Sequence, residues 1–238
     1  MSASLPKISV VLPVRYVNEG WLRQSIESVL SQDYPNKELI VVNDEATKPI
    51  DELVASYGIA KYVKNDRNRK LPYSLNRGFE RADGEFHTWT SADNVMLPGM
   101  LTRLARELER RPDIALVIGT QLSMDEEGTV LATDEKGARE VARLACTDPL
   151  SPLVPRRYTF TSTLGACFLY RAEVWRKVGA YDETLHGAED YKFWIRASRW
   201  FQIGRIPISD PPLYAYRNHK ASITGTEPYC FTALRLKV

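Results

Sequence analysis

The sequence predicts an α/β fold in which a mostly parallel sheet carries helices on both faces. Short apolar runs recur along the first half of the 238-residue chain, and segments with helix signals separate them. A composition of 44% hydrophobic and 26% charged residues is ordinary for a globular protein. The longest apolar runs are far too short to cross a bilayer. We therefore expect a globular domain built from alternating strands and helices.

Five apolar runs are predicted to form the strands of this sheet. The first, Ile8–Val14, is rich in β-branched residues, which is typical of a buried strand. The other four are residues 38–42, 60–64, 85–90 and 114–118. Because parallel strands need long crossover connections, usually helices, the alternation indicates parallel pairing.

The segments between these strands carry helix signals. The first has an apolar face at helical spacing, formed by Leu22, Ile26, Val29 and Leu30. Three further helices are predicted to begin at a proline, at residues 49–57, 72–81 and 98–110. Asp83-Gly84 is the predicted stop after the second of these three.

The second half of the chain is less regular. Residues 121–135 contain Glu127-Gly128, which is typical of a hairpin turn. The other predicted elements are a helix at 136–146, a proline-rich loop at 147–158, a strand at 164–170, a helix at 171–178 that Gly179 stops, a helix at 190–200 and a strand at 213–216. With no repeat and no linker in the sequence, we expect one domain over residues 1–238.

Charge and cysteine content exclude several classes of protein. There are 32 Lys and Arg residues against 30 Asp and Glu residues, so the chain lacks the basic balance of a nucleic-acid-binding protein. Cys146, Cys167 and Cys230 are far apart and form no CxxC pair, so neither a zinc cluster nor a disulfide framework is indicated. The N-terminus has no signal-peptide pattern. We expect a cytoplasmic protein that binds no nucleic acid.

Three arginines, Arg103, Arg106 and Arg110, form a basic stripe at helical spacing. A solvated helix face is the ordinary interpretation of such a stripe. The alternative is peripheral association with the inner face of the membrane.

Polar residues follow the predicted strands where each one ends, and ligands bind at the carboxyl ends of parallel strands. Asp93 suits a hard cation such as Mg²⁺ or Mn²⁺, although Asp93 or Asn94 could instead cap the following helix. Glu189-Asp190 is a second candidate for chemistry, with the same alternative of a helix cap. Asp44 is a third, with a turn residue as the alternative. Glycine-rich phosphate-binding motifs are absent.

An ordered set of motifs over residues 6–224 resembles family 2 glycosyltransferases with the GT-A fold. In chain order the motifs are strand Ile8–Val14, Asn18-Glu19 with Trp21-Leu22, residues 25–32, Tyr34-Pro35-Asn36, residues 38–44, residues 71–78, Gly84-Glu85-Phe86, Asp93-Asn94 with Pro98, residues 178–183, Glu189-Asp190 with Tyr191, Trp194 and Arg196, and Leu213-Tyr214 with Tyr216, Arg217 and His219. The resemblance implies a Rossmann-like, mostly parallel sheet, with a nucleotide-binding half at about 1–118 and an acceptor-binding half at about 119–238.

The resemblance implies an inverting transfer of a sugar from a nucleotide-sugar, usually a UDP-sugar, to a hydroxyl of a glycan or glycolipid. The resemblance implies that Asp44 recognises the base of the nucleotide. It also implies that Asp93 is the metal-binding aspartate, with Mn²⁺ or Mg²⁺ as the metal. Asp190 matches the catalytic base of the Glu189-Asp190 pair. The other nucleotide-binding residues implied are Pro13, Val14, Arg15, Ser91 and Ala92. The C-terminal residues implied are Trp194 at the acceptor, Arg217 at the diphosphate and His219 at the metal, where a plain surface histidine is the alternative.

The chemistry of sugar transfer agrees with these assignments. A departing nucleoside diphosphate develops negative charge, which a bound divalent ion stabilises. The acceptor hydroxyl loses its proton as it attacks, and a carboxylate can accept that proton.

The sequence departs from the family at the metal element, because Ser91 and Ala92 stand where acidic residues are usual, and Asn43 replaces a frequent aspartate. This departure motivates an alternative, a catalytically weak domain that binds a nucleotide-sugar or a glycan. A nucleotidyltransferase is a third hypothesis, but it usually needs a glycine-rich loop, and residues 8–20 hold only Gly20.

Overall fold

The computed structural model describes residues 4–133, 165–187, 189–207 and 209–223, which form two sheets with flanking helices. The described strands are β1 (Ile8–Val14), β2 (Lys37–Asn43), β3 (Lys61–Lys64), β4 (Phe86–Trp89), β5 (Val95–Met96), β6 (Ile114–Ile118), β7 (Gln121–Met124), β8 (Val130–Thr133), β9 (Phe168–Arg171), β10 (Gln202–Arg205) and β11 (Tyr214–Arg217). The described helices are α1 (Glu19–Leu30), α2 (Asp51–Ser56), α3 (Lys70–Phe79), α4 (Met100–Arg110), α5 (Ala172–Val178) and α6 (Glu189–Ser198).

The larger sheet has seven strands in the order β10-β6-β9-β4-β1-β2-β3. Strands β1 to β4 pair in parallel, with Ile8 opposite both Lys37 and Phe86, and β10 pairs in parallel with β6. Strand β9 runs antiparallel between β4 and β6. The predicted mostly parallel α/β sheet is therefore confirmed, and one antiparallel strand is inserted into it.

The smaller sheet has four strands in the order β5-β11-β7-β8. Its hairpin between β7 and β8 turns at Gly128, whose φ of 92° lies in the left-handed region that glycine adopts readily. The predicted turn at Glu127-Gly128 is therefore confirmed. In this sheet β11 lies between β5 and β7, so it brings the chain after residue 213 against the strand that follows β4.

The helices pack on the two faces of the larger sheet. Successive side chains of a strand point to opposite faces, so Val10 and Leu12 join one apolar cluster and Val11 joins the other. The first cluster takes in residues of α1 and α4, and the second takes in residues of α3, α5 and α6. This packing fixes the carboxyl ends of β1, β2 and β4, which carry the polar residues.

Most predicted elements occur within a few residues of their expected bounds. Helix α4, predicted at 98–110, begins at Met100, and the strand predicted at 164–170 is described as Phe168–Arg171. Strands β5 and β10 were not predicted. The helix at 136–146 and the loop at 147–158 lie outside the described residues, as do Cys146 and Cys230. Cys167 is a free, buried thiol.

The basic stripe on α4 is partly neutralised within the protein. Arg103 pairs with Asp210, and Arg110 pairs with Glu107 at 2.7 Å. These contacts favour the solvated-face interpretation of the stripe. No helix in the part of the chain that the structure describes is both long enough and apolar enough for a membrane span.

Candidate active site

A cavity of about 590 Å³ opens at the carboxyl ends of β1, β2 and β4. The sequence-predicted residues that line it are Pro13, Val14, Arg15, Asp44, Ser91, Ala92, Asp93, Glu189, Asp190 and His219. The parallel strands bring the first seven together at one edge of the sheet, and the start of α6 and the chain after β11 supply the rest. Two of the predicted residues, Trp194 and Arg217, do not line it.

Asp44 lies at the end of β2 and is 3% exposed. Its Oδ1 accepts hydrogen bonds from the side-chain amide of Asn65 at 2.8 Å and from the backbone N–H of Arg69 at 2.7 Å. Its neighbour Asn43 makes the local turn instead, because the Asn43 side chain accepts a hydrogen bond from Ala46 N–H at 2.8 Å. Asp44 thus lies within the turn that Asn43 closes, and its own carboxylate holds the loop before α3 beside the cavity.

Asp93 and His219 form a pair at the opposite side of the sheet edge. The Nε2 atom of His219 lies 2.7 Å from Oδ2 of Asp93, although 126 residues separate the two in sequence. The His219 side chain is 3% exposed and its ring lies 4.8 Å from that of Trp21, so the surface-histidine interpretation is wrong. Helix α4 begins beyond Gly99 without a side-chain cap, so Asp93 is not a helix cap either.

The donor atoms at this pair suit a hard divalent cation. Oδ1 of Asp93 is buried and has no hydrogen-bond partner among the residues described. The carboxylate oxygen is a donor that Mn²⁺ and Mg²⁺ accept, whereas imidazole is more usual as a ligand of Zn, Cu, Fe and Ni. Over the described ranges, no cluster of three or more His, Cys, Asp or Glu residues could hold a metal. The residues therefore fit a cation that takes its remaining ligands from substrate phosphates and water, which is the usual arrangement for Mg²⁺.

Arg217 takes a structural position that differs from its predicted one. Its guanidinium donates to the backbone carbonyl oxygens of Asp93, Asp125 and Glu126 at 2.9, 3.1 and 2.9 Å, and to Oε1 of Gln24 at 2.8 Å. Its backbone N–H also donates to Oδ1 of Asn94, 2.8 Å away. All three of its side-chain nitrogens are thus bound to protein. This buried side chain connects the Asp93 loop to α1 and to the β7–β8 turn, so these contacts do not support the predicted contact with a diphosphate, which stays a prediction.

Trp194 also differs from its prediction. It is 3% exposed, and its ring centroid lies 4.9 Å from that of Phe168 and 5.1 Å from that of Phe193. Its neighbours are therefore the aromatic side chains of the core between α6 and β9. This packing does not support the predicted acceptor wall at Trp194, which stays a prediction, because the apolar face of α6 packs against the sheet.

Glu189 and Asp190 form the first turn of α6, where the helix dipole favours negative charge. Glu189 is 3% exposed, and its Oε2 accepts a hydrogen bond of 2.7 Å from the backbone N–H of Gly187. That donor precedes the helix, so Glu189 fixes the approaching loop. Both residues line the cavity that Asp93 also lines.

Sequence reasoning missed several other lining residues, among them Tyr16, Trp21, Lys70, Gln121 and His186. The basic run at residues 67–70, which follows a predicted strand end, was the available signal for Lys70. Gln121 comes three residues after the predicted strand at 114–118, so the same signal was available for it. For His186 the sequence held no signal, because it does not follow a predicted strand.

Comparison with known proteins identifies similar chains. The family model described as Glycosyl transferase family 2 matches residues 9–179. An uncharacterised glycosyltransferase of Rickettsia prowazekii (strain Madrid E) is 25% identical over 225 residues, which cover 93% of this chain and 67% of the relative. The uncharacterised glycosyltransferase EpsJ of Bacillus subtilis (strain 168) is 25% identical over 224 residues, covering 92% of this chain and 63% of the relative.

Solved structures of TarS from S. aureus share the fold. The structure of TarS residues 1–349 in complex with UDP-GlcNAc superposes with a TM-score of 0.70 at 19% identity, covering 92% of this chain and 61% of that one. The complex of the same fragment with UDP gives a TM-score of 0.68 at 20% identity, covering 90% and 61%. This chain therefore spans about three fifths of the TarS fragment and about two thirds of the Rickettsia relative.

Proposed function

Because the chain belongs to glycosyl transferase family 2, we propose that it transfers a sugar from a UDP-sugar to a hydroxyl of a glycan or glycolipid, with inversion at the anomeric carbon. One observation carries the proposal: Asp44, Asp93 and Asp190, from three distant parts of the sequence, line a single cavity at the carboxyl edge of the sheet. That edge is where parallel α/β sheets bind their ligands.

We assign the base and ribose of the donor to Asp44. Its Oδ1 is fixed by two hydrogen bonds from the protein, and a carboxylate has about four lone-pair sites, so it retains capacity for a ligand N–H or O–H. The choice of uridine is supported by TarS, whose structures contain UDP and UDP-GlcNAc.

We assign a divalent cation, Mn²⁺ or Mg²⁺, to Asp93 and His219. Such a cation, when bound, stabilises the charge that develops on a departing diphosphate. The buried Oδ1 of Asp93 supports this assignment, because an unpartnered buried carboxylate oxygen is costly in the absence of a ligand. Arg217 is a positioning residue in this assignment, because its guanidinium donates a hydrogen bond to the backbone carbonyl oxygen of Asp93.

We assign the general base to Asp190. As the acceptor oxygen bonds to the anomeric carbon, the bond from that carbon to the diphosphate breaks and UDP leaves with the electron pair. The hydroxyl proton passes to a carboxylate oxygen of Asp190. Glu189 acts as a positioning residue in this scheme, because its carboxylate fixes the backbone at Gly187 immediately before α6.

We also propose a cytoplasmic location, with the glycan or glycolipid as acceptor. The sequence supports this location, because its three cysteines suggest no disulfide framework.

The test is release of UDP from a panel of UDP-sugars, with water and simple glycosides as acceptors, in Mn²⁺ and in EDTA. Asp190→Asn keeps the shape and removes the base, so turnover should fall about 10²- to 10⁴-fold while UDP affinity, measured by calorimetry, stays unchanged. Glu189→Gln should lower turnover less. Asp66→Asn is the matched control, because Asp66 is exposed, follows β3 and does not line the cavity.

Each outcome separates the assignments. Turnover of Asp190→Asn equal to wild type would contradict the base assignment. A wild-type chain that binds UDP but releases none from any donor would favour the binding-module hypothesis, which the presence of Ser91 and Ala92 in the metal element motivates. Equal UDP affinity in Mn²⁺ and EDTA would contradict the metal assignment to Asp93.

A further inference from the structure

The side chains around the cavity carry more negative than positive charge. Four lining residues are carboxylates, namely Asp44, Asp93, Glu189 and Asp190, whereas the lining Arg and Lys residues are Arg15 and Lys70. A ligand that itself carries two or three negative charges needs compensating cations. The cavity therefore raises the question of which protein cation meets the diphosphate.

Arg15 is already engaged by the protein. Its guanidinium lies 3.5 Å from the carboxylate of Glu45 and also donates to the Glu45 backbone carbonyl. Lys70 is exposed, and in the described part of the chain no carboxylate lies within ion-pair distance of its ammonium. Of these two lining residues, Lys70 is thus the one without a carboxylate partner among the described residues.

The backbone of Lys70 provides a second, independent observation. Its φ is 72°, in the left-handed region that favours glycine, and it is one of two non-glycine residues with positive φ among those described. Strained backbone of this kind persists only where surrounding contacts fix it, and it concentrates at ligand sites. A lysine therefore stands at a position where glycine would fit with less strain.

The loop that carries Lys70 is hydrogen-bonded to residues on the nucleotide side of the cavity. Arg69 N–H donates to Oδ1 of Asp44 at 2.7 Å, and Asn68 N–H donates to Oε2 of Glu45 at 3.2 Å. Lys70 N–H itself donates to the side chain of Asn68 at 3.0 Å. These hydrogen bonds fix the loop, and with it Lys70, relative to the carboxylate proposed to hold the base and ribose.

We propose that Lys70 binds the diphosphate of the nucleotide donor and neutralises the charge of the leaving group. This inference rests on the proposed function. Asp44, Asp93 and Lys70 line one cavity, so a nucleotide whose base or ribose meets Asp44 and whose phosphates reach a cation at Asp93 shares that cavity with Lys70. There the ammonium donates a charge-assisted hydrogen bond to a phosphate oxygen.

The test is calorimetric binding of UDP, UMP and uridine to the full chain in Mg²⁺ and in EDTA. Lys70→Ala should weaken UDP binding about 10- to 100-fold, UMP binding less, and uridine binding not at all. Lys70→Arg should recover most of the affinity. Lys48→Ala is the matched control, because Lys48 is exposed near the same sheet edge but does not line the cavity.

The variant Lys70→Gly distinguishes a loss of UDP affinity from a loss of fold stability. Glycine adopts the φ of this position without strain, so the melting temperature should equal or exceed that of the wild type while UDP affinity falls as in Lys70→Ala. Equal UDP affinity in wild type and Lys70→Ala would overturn the inference and leave the proposed function standing, as would equal weakening of UDP and uridine. A wild-type chain that binds no UDP would overturn both.

Discussion

Acidification from about pH 7.5 to about pH 5 is expected to weaken the fold through the buried imidazole of His87. This side chain lies on β4, is 4% exposed, and stacks on Phe79 with ring centroids 5.1 Å apart. Tyr170 meets the ring edge-on at 5.6 Å. Burial in this apolar, aromatic surrounding disfavours the charged imidazolium and lowers the pKa of His87 from 6.5 to about 4.

The size of the effect follows from linkage between protonation and folding. In the unfolded chain His87 titrates near pH 6.5, so between about pH 6.5 and about pH 4 the unfolded state binds a proton that the folded state excludes. The contribution of the neutral His87 to the free energy of unfolding is therefore complete above about pH 6.5, and it is lost as the pH falls from there to about 4. The loss is about 2 kcal/mol by pH 5 and about 3 kcal/mol in full.

The assay is urea denaturation at a series of pH values, with His87→Phe as the matched variant. Phenylalanine keeps an aromatic ring against Phe79 but cannot be protonated, so its free energy of unfolding should fall less between pH 7.5 and pH 5. Carboxylates such as Asp182, whose pKa Lys192 lowers to about 2, titrate in both proteins and cancel in the comparison. The reasoning is refuted if the two proteins lose stability in parallel over this range.

Two further substitutions probe the packing behind the site. In Arg217→Lys the shorter set of donors cannot reach all the acceptors of Arg217, so the free energy of unfolding should fall by about 3 kcal/mol. UDP binding should weaken more in Mg²⁺ than in EDTA, because the backbone carbonyl of Asp93 loses its hydrogen bond from the guanidinium. Equal weakening in both buffers would argue against a positioning role. Gly78→Ala would place a Cβ atom 2.3 Å from Cγ1 of Val11, between α3 and β1. It should cost about 1–3 kcal/mol of stability, less than additively with Val11→Ala, and additive losses would show that the two sites do not touch.

The sequence by itself was sufficient for most of the described elements and for one edge of the site. Apolar runs and helical spacing are local properties, so β1, β2 and α1 could be predicted from them. Parallel strands share one direction, so the residues after β2 and β4, including Asp44 and Asp93, had to meet at one edge. The motif order likewise predicted the family.

Pairing between distant segments was decided by tertiary structure. Strand β9 has the same apolar character as its neighbours. Its residues do not indicate that it pairs antiparallel with β4 and β6, between which it lies. Strand β5 has two residues, too few for any periodicity, and it exists because β11 pairs with it.

The roles of the C-terminal polar and aromatic residues depended on the same long-range packing. Arg217 and His219 stand two residues apart on or just after β11, where strand alternation alone would place both side chains on one face. In the structure the Arg217 guanidinium instead donates hydrogen bonds to backbone carbonyl oxygens, and the His219 ring pairs with Asp93. Which acceptor a long polar side chain reaches depends on the elements that pack around it, so this division of roles is a property of the folded chain.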